Sequence, residues 1–75
     1  MLNQRYDDED YRDHKIRIYV KRYDSSSSWV IDHVDVQGPD GRPFPPLRDS
    51  DRSWDTVEEA LLAGSMIGRQ FVDAP

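Results

Sequence analysis

The sequence predicts an α+β domain, in which an antiparallel sheet of two to three strands carries one C-terminal helix packed on one face. Three observations predict it. Ile16, Ile18 and Val20 alternate with Lys15, Arg17, Tyr19 and Lys21, the period-2 pattern of a strand with one buried and one wet face. A second β-rich run, residues 29–37, follows the polar turn DSSSS at residues 24–28. Val57, Ala60, Leu61, Gly64, Ile67, Gly68 and Phe71 then recur at the spacing of one helical face.

The chain begins with MLNQRYDDEDYRD. Four consecutive acids, Asp7 to Asp10, repel one another and offer nothing to bury, so residues 1–13 read as a disordered acidic arm. Residues 14–73 then form the single domain. Its clearest strand is HKIRIYVKR, residues 14–22.

The second strand, WVIDHVDVQ, alternates imperfectly. Trp29 and Ile31 are in one phase, Val34 and Val36 in the other. A bulge near Asp32 and His33 brings all four to one face, because an extra residue shifts the phase by one. A regular strand would instead bury Asp32 unpaired, which is costly. With the bulge, Ile18 pairs with Val34 and Ile16 with Val36. Arg17 then stands opposite Asp35 on the outer face.

Gly38 opens a punctuated segment. Pro39, Asp40 and Gly41 signal a turn. Residues 42–48 can form only an irregular edge strand, since Pro43, Pro45 and Pro46 donate no ladder hydrogen bonds. Phe44 and Leu47 are its anchors to the core. The helix is expected over residues 55–72, with Thr56 and Glu59 as a capping box. Gly64 and Gly68 lie on its core stripe, where each costs roughly 1 kcal/mol against Ala; close approach to the strands is the expected return. Trp54 is expected to cover the helix entrance. Leu62 and Met66 fall off the stripe and are candidates for a partner or homodimer surface.

Composition narrows the function. With 75 residues the chain sits near the lower limit for a self-sufficient core. The absence of cysteine excludes disulfides, a thiolate zinc site and a cysteine nucleophile, and suits a reducing cytoplasm. No apolar run approaches the roughly 20 residues that span a bilayer, so no membrane partner is expected. The net charge of −5 weighs against nucleic acid, whose binders carry a basic face. The counter-signal is local. Lys15, Arg17, Tyr19 and Lys21 join basic and aromatic groups on one strand face, a small version of a surface that stacks bases.

Asp32, His33 and Asp35 are the one cluster that invites a metal or acid–base reading. Metal sites need three or four converging ligands, and neighbours on a regular strand diverge, so these residues read as a solvated strand face. Ser25 to Ser28 read as a plain turn, with neither a Gly-rich phosphate motif nor a Ser-His-Asp arrangement nearby. No catalytic residue, metal site or cofactor is therefore assigned. The expected function is a non-enzymatic binding module for a protein partner or a second copy, with RNA binding through the first strand as the alternative.

Trp29, Ile31, Val34 and Val36, followed by Thr56-Val57-Glu58-Glu59-Ala60 and Gly64, resemble small uncharacterised bacterial proteins in which a Trp-led strand precedes a T-x-E-E-A helix. The resemblance covers about residues 14 to 73 and implies a β-β-(β)-α fold without an activity. The run from Thr56 to Ala60 is also similar to the helix start of HicB-type antitoxin domains, which implies a toxin ribonuclease as partner. The sequence departs from that family in its Pro-rich connection and in showing no DNA-binding segment after the helix.

Overall fold

The computed structural model describes residues 2–49 and 51–74; Met1, the first residue of the expected arm, lies outside them. Three strands, β1 (Asn3–Tyr11), β2 (His14–Arg22) and β3 (Val30–Gln37), form an antiparallel sheet in the order β1-β2-β3, and α1 (Val57–Asp73) packs on one face. The fold is the expected α+β arrangement, with one strand more at its N-terminal end.

That strand corrects the disordered-arm expectation. Residues 3–11 pair with β2 along their whole length, from Asn3 opposite Arg22 to Tyr11 opposite His14. Arg5, Asp7 and Glu9 put charge on their inward side, and Tyr11 packs on the core at the end of the strand, so hydrophobic alternation is missing. Position is held by polar contacts to α1. Glu9 accepts from the Ser65 hydroxyl and from Arg69 Nε at 2.9 Å. Tyr11 donates to Asp73 at 2.7 Å, and Arg12 lies 3.3 Å from the same carboxylate. The connecting turn hides as well. Arg12 and Asp13 both take positive φ, 50° and 65°, as a two-residue type I′ hairpin requires, yet without the usual Asn-Gly or Asp-Gly.

β2 and β3 pair in the expected register, Ile16 with Val36, Arg17 with Asp35 and Ile18 with Val34. The register shifts after Tyr19–His33, so that Val20 faces Ile31 and Asp32 is the extra residue. This bulge puts Trp29, Ile31, Val34 and Val36 into one core with Ile16, Ile18, Val20 and Ala60. Burying these side chains supplies the main driving force, roughly 1.5–3 kcal/mol for each large one.

The helix begins at Thr56, whose hydroxyl accepts from Glu59 N at 3.2 Å and donates to the Glu59 carboxylate at 2.9 Å. The expected reach of Glu59 to the cap amide is replaced by this hydroxyl contact. Gly64 and Gly68 are buried and face β2. A methyl group on Gly68 would lie 2.7 Å from Ile16 Cγ2, and one on Gly64 would overlap Ile18 more severely. Helix and strand thus approach at a distance that only glycine permits.

Residues 42–48 run beside β3 without forming a strand. They touch it through isolated pairings, Gln37 with Pro43 and Val34 with Leu47. Phe44 N donates to Val36 O, and Leu47 exchanges both backbone bonds with Val34. Trp54 pairs with Trp29 in the same way and packs against the core.

Candidate functional site

The sheet has a core face and an open face. Period-2 geometry sends Lys15, Arg17, Tyr19 and Lys21 of β2 to the open side, since Ile16, Ile18 and Val20 take the other. The register places a β1 and a β3 residue beside each. Tyr19 lies between Tyr6 and His33, and Arg17 between Asp8 and Asp35. Lys15 lies between Asp10 and Gln37.

The central row is aromatic. Tyr19 stacks on His33 with centroids 4.2 Å apart and 22° between planes, and Tyr6 follows at 6.0 Å. Arg17 extends over Tyr6, its guanidinium carbon 4.7 Å from the ring centroid, in cation–π geometry. Tyr6 is 60% exposed, so the β1 end of this row is open to solvent.

The flanking rows are ion-paired. Arg17 donates to both Asp8 oxygens, at 2.5 and 3.0 Å, which replaces the expected cross-strand partner Asp35. The contact holds the Asp8 carboxyl below its ordinary range and the Arg17 guanidinium firmly charged. Lys21 Nζ lies 2.8 Å from Asp32; their hydrogen bond lowers the carboxyl's pKa and raises the ammonium's. The bulge makes Asp32 and His33 converge, with Nδ1 2.7 Å from Asp32 Oδ2 and Nε2 3.5 Å from Asp35 Oδ2. Both ring nitrogens of His33 thus face carboxylates of its own strand. Among the described residues, no three His, Asp or Glu side chains gather in a metal-ligating group.

An open trough of about 620 Å³ lies along this side, lined by Asp10, Lys15, Tyr19, Asp35, Pro43 and Phe44 among others. The Pro-rich segment forms one wall. Leu62 and Met66 are elsewhere, on the outward side of α1, 65% and 48% exposed. The six residues singled out from the sequence therefore form two separate surfaces, four on the open sheet face and two on the helix. Tyr6, Asp8 and Asp10 were missed because residues 1–13 showed no burial pattern. The signal that could have found them is pairing: Tyr6, Asp8 and Asp10 alternate like the outward side of a strand, and they oppose Tyr19, Arg17 and Lys15 once a turn is placed at Arg12-Asp13.

Among the described residues no helix is long and apolar enough to cross a membrane. Comparisons with protein-family models, curated proteins and solved structures return no match.

Proposed function

We propose that this chain is a non-enzymatic protein-interaction module that binds through the open face of its sheet. The observation that carries this is the row Tyr6–Tyr19–His33, which crosses all three strands on the side away from the core. Tyrosines supply large contact area at small entropic cost, and this row is already ordered by stacking. The ion pairs on either side form a polar rim, the usual surround of a protein-binding patch.

The same geometry weighs against RNA. A phosphate would have to displace Asp8 from Arg17 and Asp32 from Lys21. The acids Asp8, Asp10, Asp32 and Asp35 interleave with Lys15, Arg17 and Lys21 on the open face of β2, so no continuous basic stripe forms.

The test compares capture from a cell lysate by the wild-type chain and by Tyr6→Ala/Tyr19→Ala, with folding checked by amide spectra. Partners lost selectively from the folded variant support the reading. An identical set of partners, or none with either protein, overturns it. A low-salt RNA titration that shifts the amides of residues 15–22 and fades as salt rises would move the assignment to nucleic acid. Sedimentation at high concentration reads self-association separately, with Leu62→Lys/Met66→Lys testing the helix surface.

A further inference from the structure

Residues 42–48 read Arg-Pro-Phe-Pro-Pro-Leu-Arg. Each proline fixes its own φ near −65°. Each also drives the preceding residue to extended or polyproline II ψ values. Pro43, Pro45 and Pro46 together hold 42–46 in that basin, and the chain here is neither helix nor strand. A polyproline II helix has three residues per turn. Phe44 and Leu47 therefore share one side, Pro43 and Pro46 a second, and Arg42, Pro45 and Arg48 the third.

Side chains of the first side anchor the segment, and the backbone at Arg42 and Pro43 also pairs with the end of β3 and Gly38. Phe44 meets Phe71 edge to face at 5.1 Å and lies over His14 at 6.3 Å. Leu47 packs against the core. The backbone bonds of Phe44 and Leu47 to β3 tie down the same two positions. Arg42, Pro43, Pro45, Pro46 and Arg48 are all exposed. Among the described residues neither guanidinium is held in a bidentate pair: Arg42 lies 3.8 Å from Asp40, and Arg48 reaches the Asp32 carbonyl at 3.4 Å.

We propose that residues 42–48 are a preformed polyproline II ligand for a protein domain with an aromatic-lined groove and a carboxylate at its end. Two prolines three residues apart present one ridge to such a groove. A flanking arginine takes the carboxylate and sets the direction of binding. Anchoring through Phe44 and Leu47 removes much of the ordering cost that a free peptide meets. Shielding of the β3 edge explains the prolines alone. It does not explain why Pro43, Pro46 and the arginines remain exposed. The inference rests on the protein-interaction reading; Pro43 and Pro46 line the same trough as Tyr19, whereas Tyr6 is not among its lining residues.

The experiment titrates a panel of purified SH3 and WW domains, which bind polyproline II segments, into the isotope-labelled full chain. Saturable shifts at the amides of Arg42, Phe44, Leu47 and Arg48 with at least one domain are expected. Pro43→Ala/Pro46→Ala should abolish them, and Arg42→Ala/Arg48→Ala should weaken binding about tenfold or more. The arginine variant keeps the test decisive if the proline variant fails to fold. A panel that leaves these amides unmoved, or binding that survives both variants, overturns the inference. Tyr6→Ala, which alters the aromatic row outside the trough, should bind the panel like wild type. A silent panel beside a Tyr-dependent lysate capture therefore removes this inference and leaves the sheet-face reading standing.

Discussion

Gly64 on α1 lies against Ile18 on β2 so closely that a methyl group on the glycine would overlap the isoleucine side chain. Helix propensity alone predicts that Gly64→Ala stabilises by about 1 kcal/mol. The packing predicts the reverse, because Ile18 is 2% exposed and has nowhere to retreat. Overpacking of this kind costs typically about 1–3 kcal/mol. We expect a lower urea midpoint for Gly64→Ala. Removing the opposing atoms with Ile18→Ala should make the two changes couple favourably in a double-mutant cycle.

β1 should be the least protected strand. Tyr11 at its end is its one large side chain packed on the core, half-buried, and its hydrogen bonds to α1 join polar side chains. Glu9→Ala leaves the buried Ser65 hydroxyl without its acceptor and Arg69 without its partner. An unsatisfied buried donor costs on the order of 1–3 kcal/mol. Hydrogen exchange should show the amides of 3–11 losing protection in this variant while β2 and β3 keep theirs. Equal loss in all three strands would mean that β1 and the core unfold together.

The turn that sets β1 in place can be improved. Asp13 holds φ of 65°, a conformation glycine adopts without penalty. Asp13→Gly should raise stability by about 0.5–1 kcal/mol, read from the urea midpoint, because relief of the left-handed backbone, roughly 1–2 kcal/mol, outweighs glycine's greater freedom when unfolded.

Stability should fall at both ends of the pH scale. Asp8 and Asp32 have native pKa values below their ordinary 3.8, held there chiefly by hydrogen bonds from Arg17 and Lys21. Their contribution is complete above 3.8 and is lost as pH falls through the lowered native values. Tyr11 is raised above 10.0, mainly by donating to Asp73, and Lys21 above 10.5 by Asp32. These contributions are complete below the ordinary values and are lost as pH rises through the raised ones. Urea midpoints across pH should therefore form a plateau bounded by these limbs. Tyr11→Phe should lower the plateau and flatten its alkaline limb.

Legibility followed apolar patterning. β2, β3, the bulge and the glycine stripe were readable because Ile16, Ile18, Val20, Trp29, Ile31, Val34 and Val36 must all reach one core, and only one phase shift allows that. β1 was not readable, because its inward residues Asp7 and Glu9 are charged and its turn lacks glycine. Its attachment depends on Ser65, Arg69 and Asp73, more than 50 residues away in sequence. On the open face, the alternation of β2 made it legible that Lys15, Arg17, Tyr19 and Lys21 share one side. Their neutralisation by Asp8 and Asp32 was hidden, since one partner lies on the unseen strand and the other on the bulge.

The bulge itself makes a length prediction. Asp32 is the residue that the β2–β3 ladder skips. Deleting it leaves Trp29, Ile31, Val34 and Val36 in strict alternation, with His33 and Asp35 outward. The core face is preserved, and the losses are the half-buried pair with Lys21, worth about 0–1 kcal/mol, and the contacts of Asp32 with His33 and Arg48. Deleting Asp35 instead turns Val36 to the outer face and brings Gln37 inward. Val36 is 1% exposed, and exposing it forfeits roughly 1.5–3 kcal/mol. The Asp32 deletion should therefore fold with a near-native amide spectrum and a slightly lower midpoint. The Asp35 deletion should be strongly destabilised. Comparable damage from both would mean that the extra residue serves the strand's twist and not only its phase.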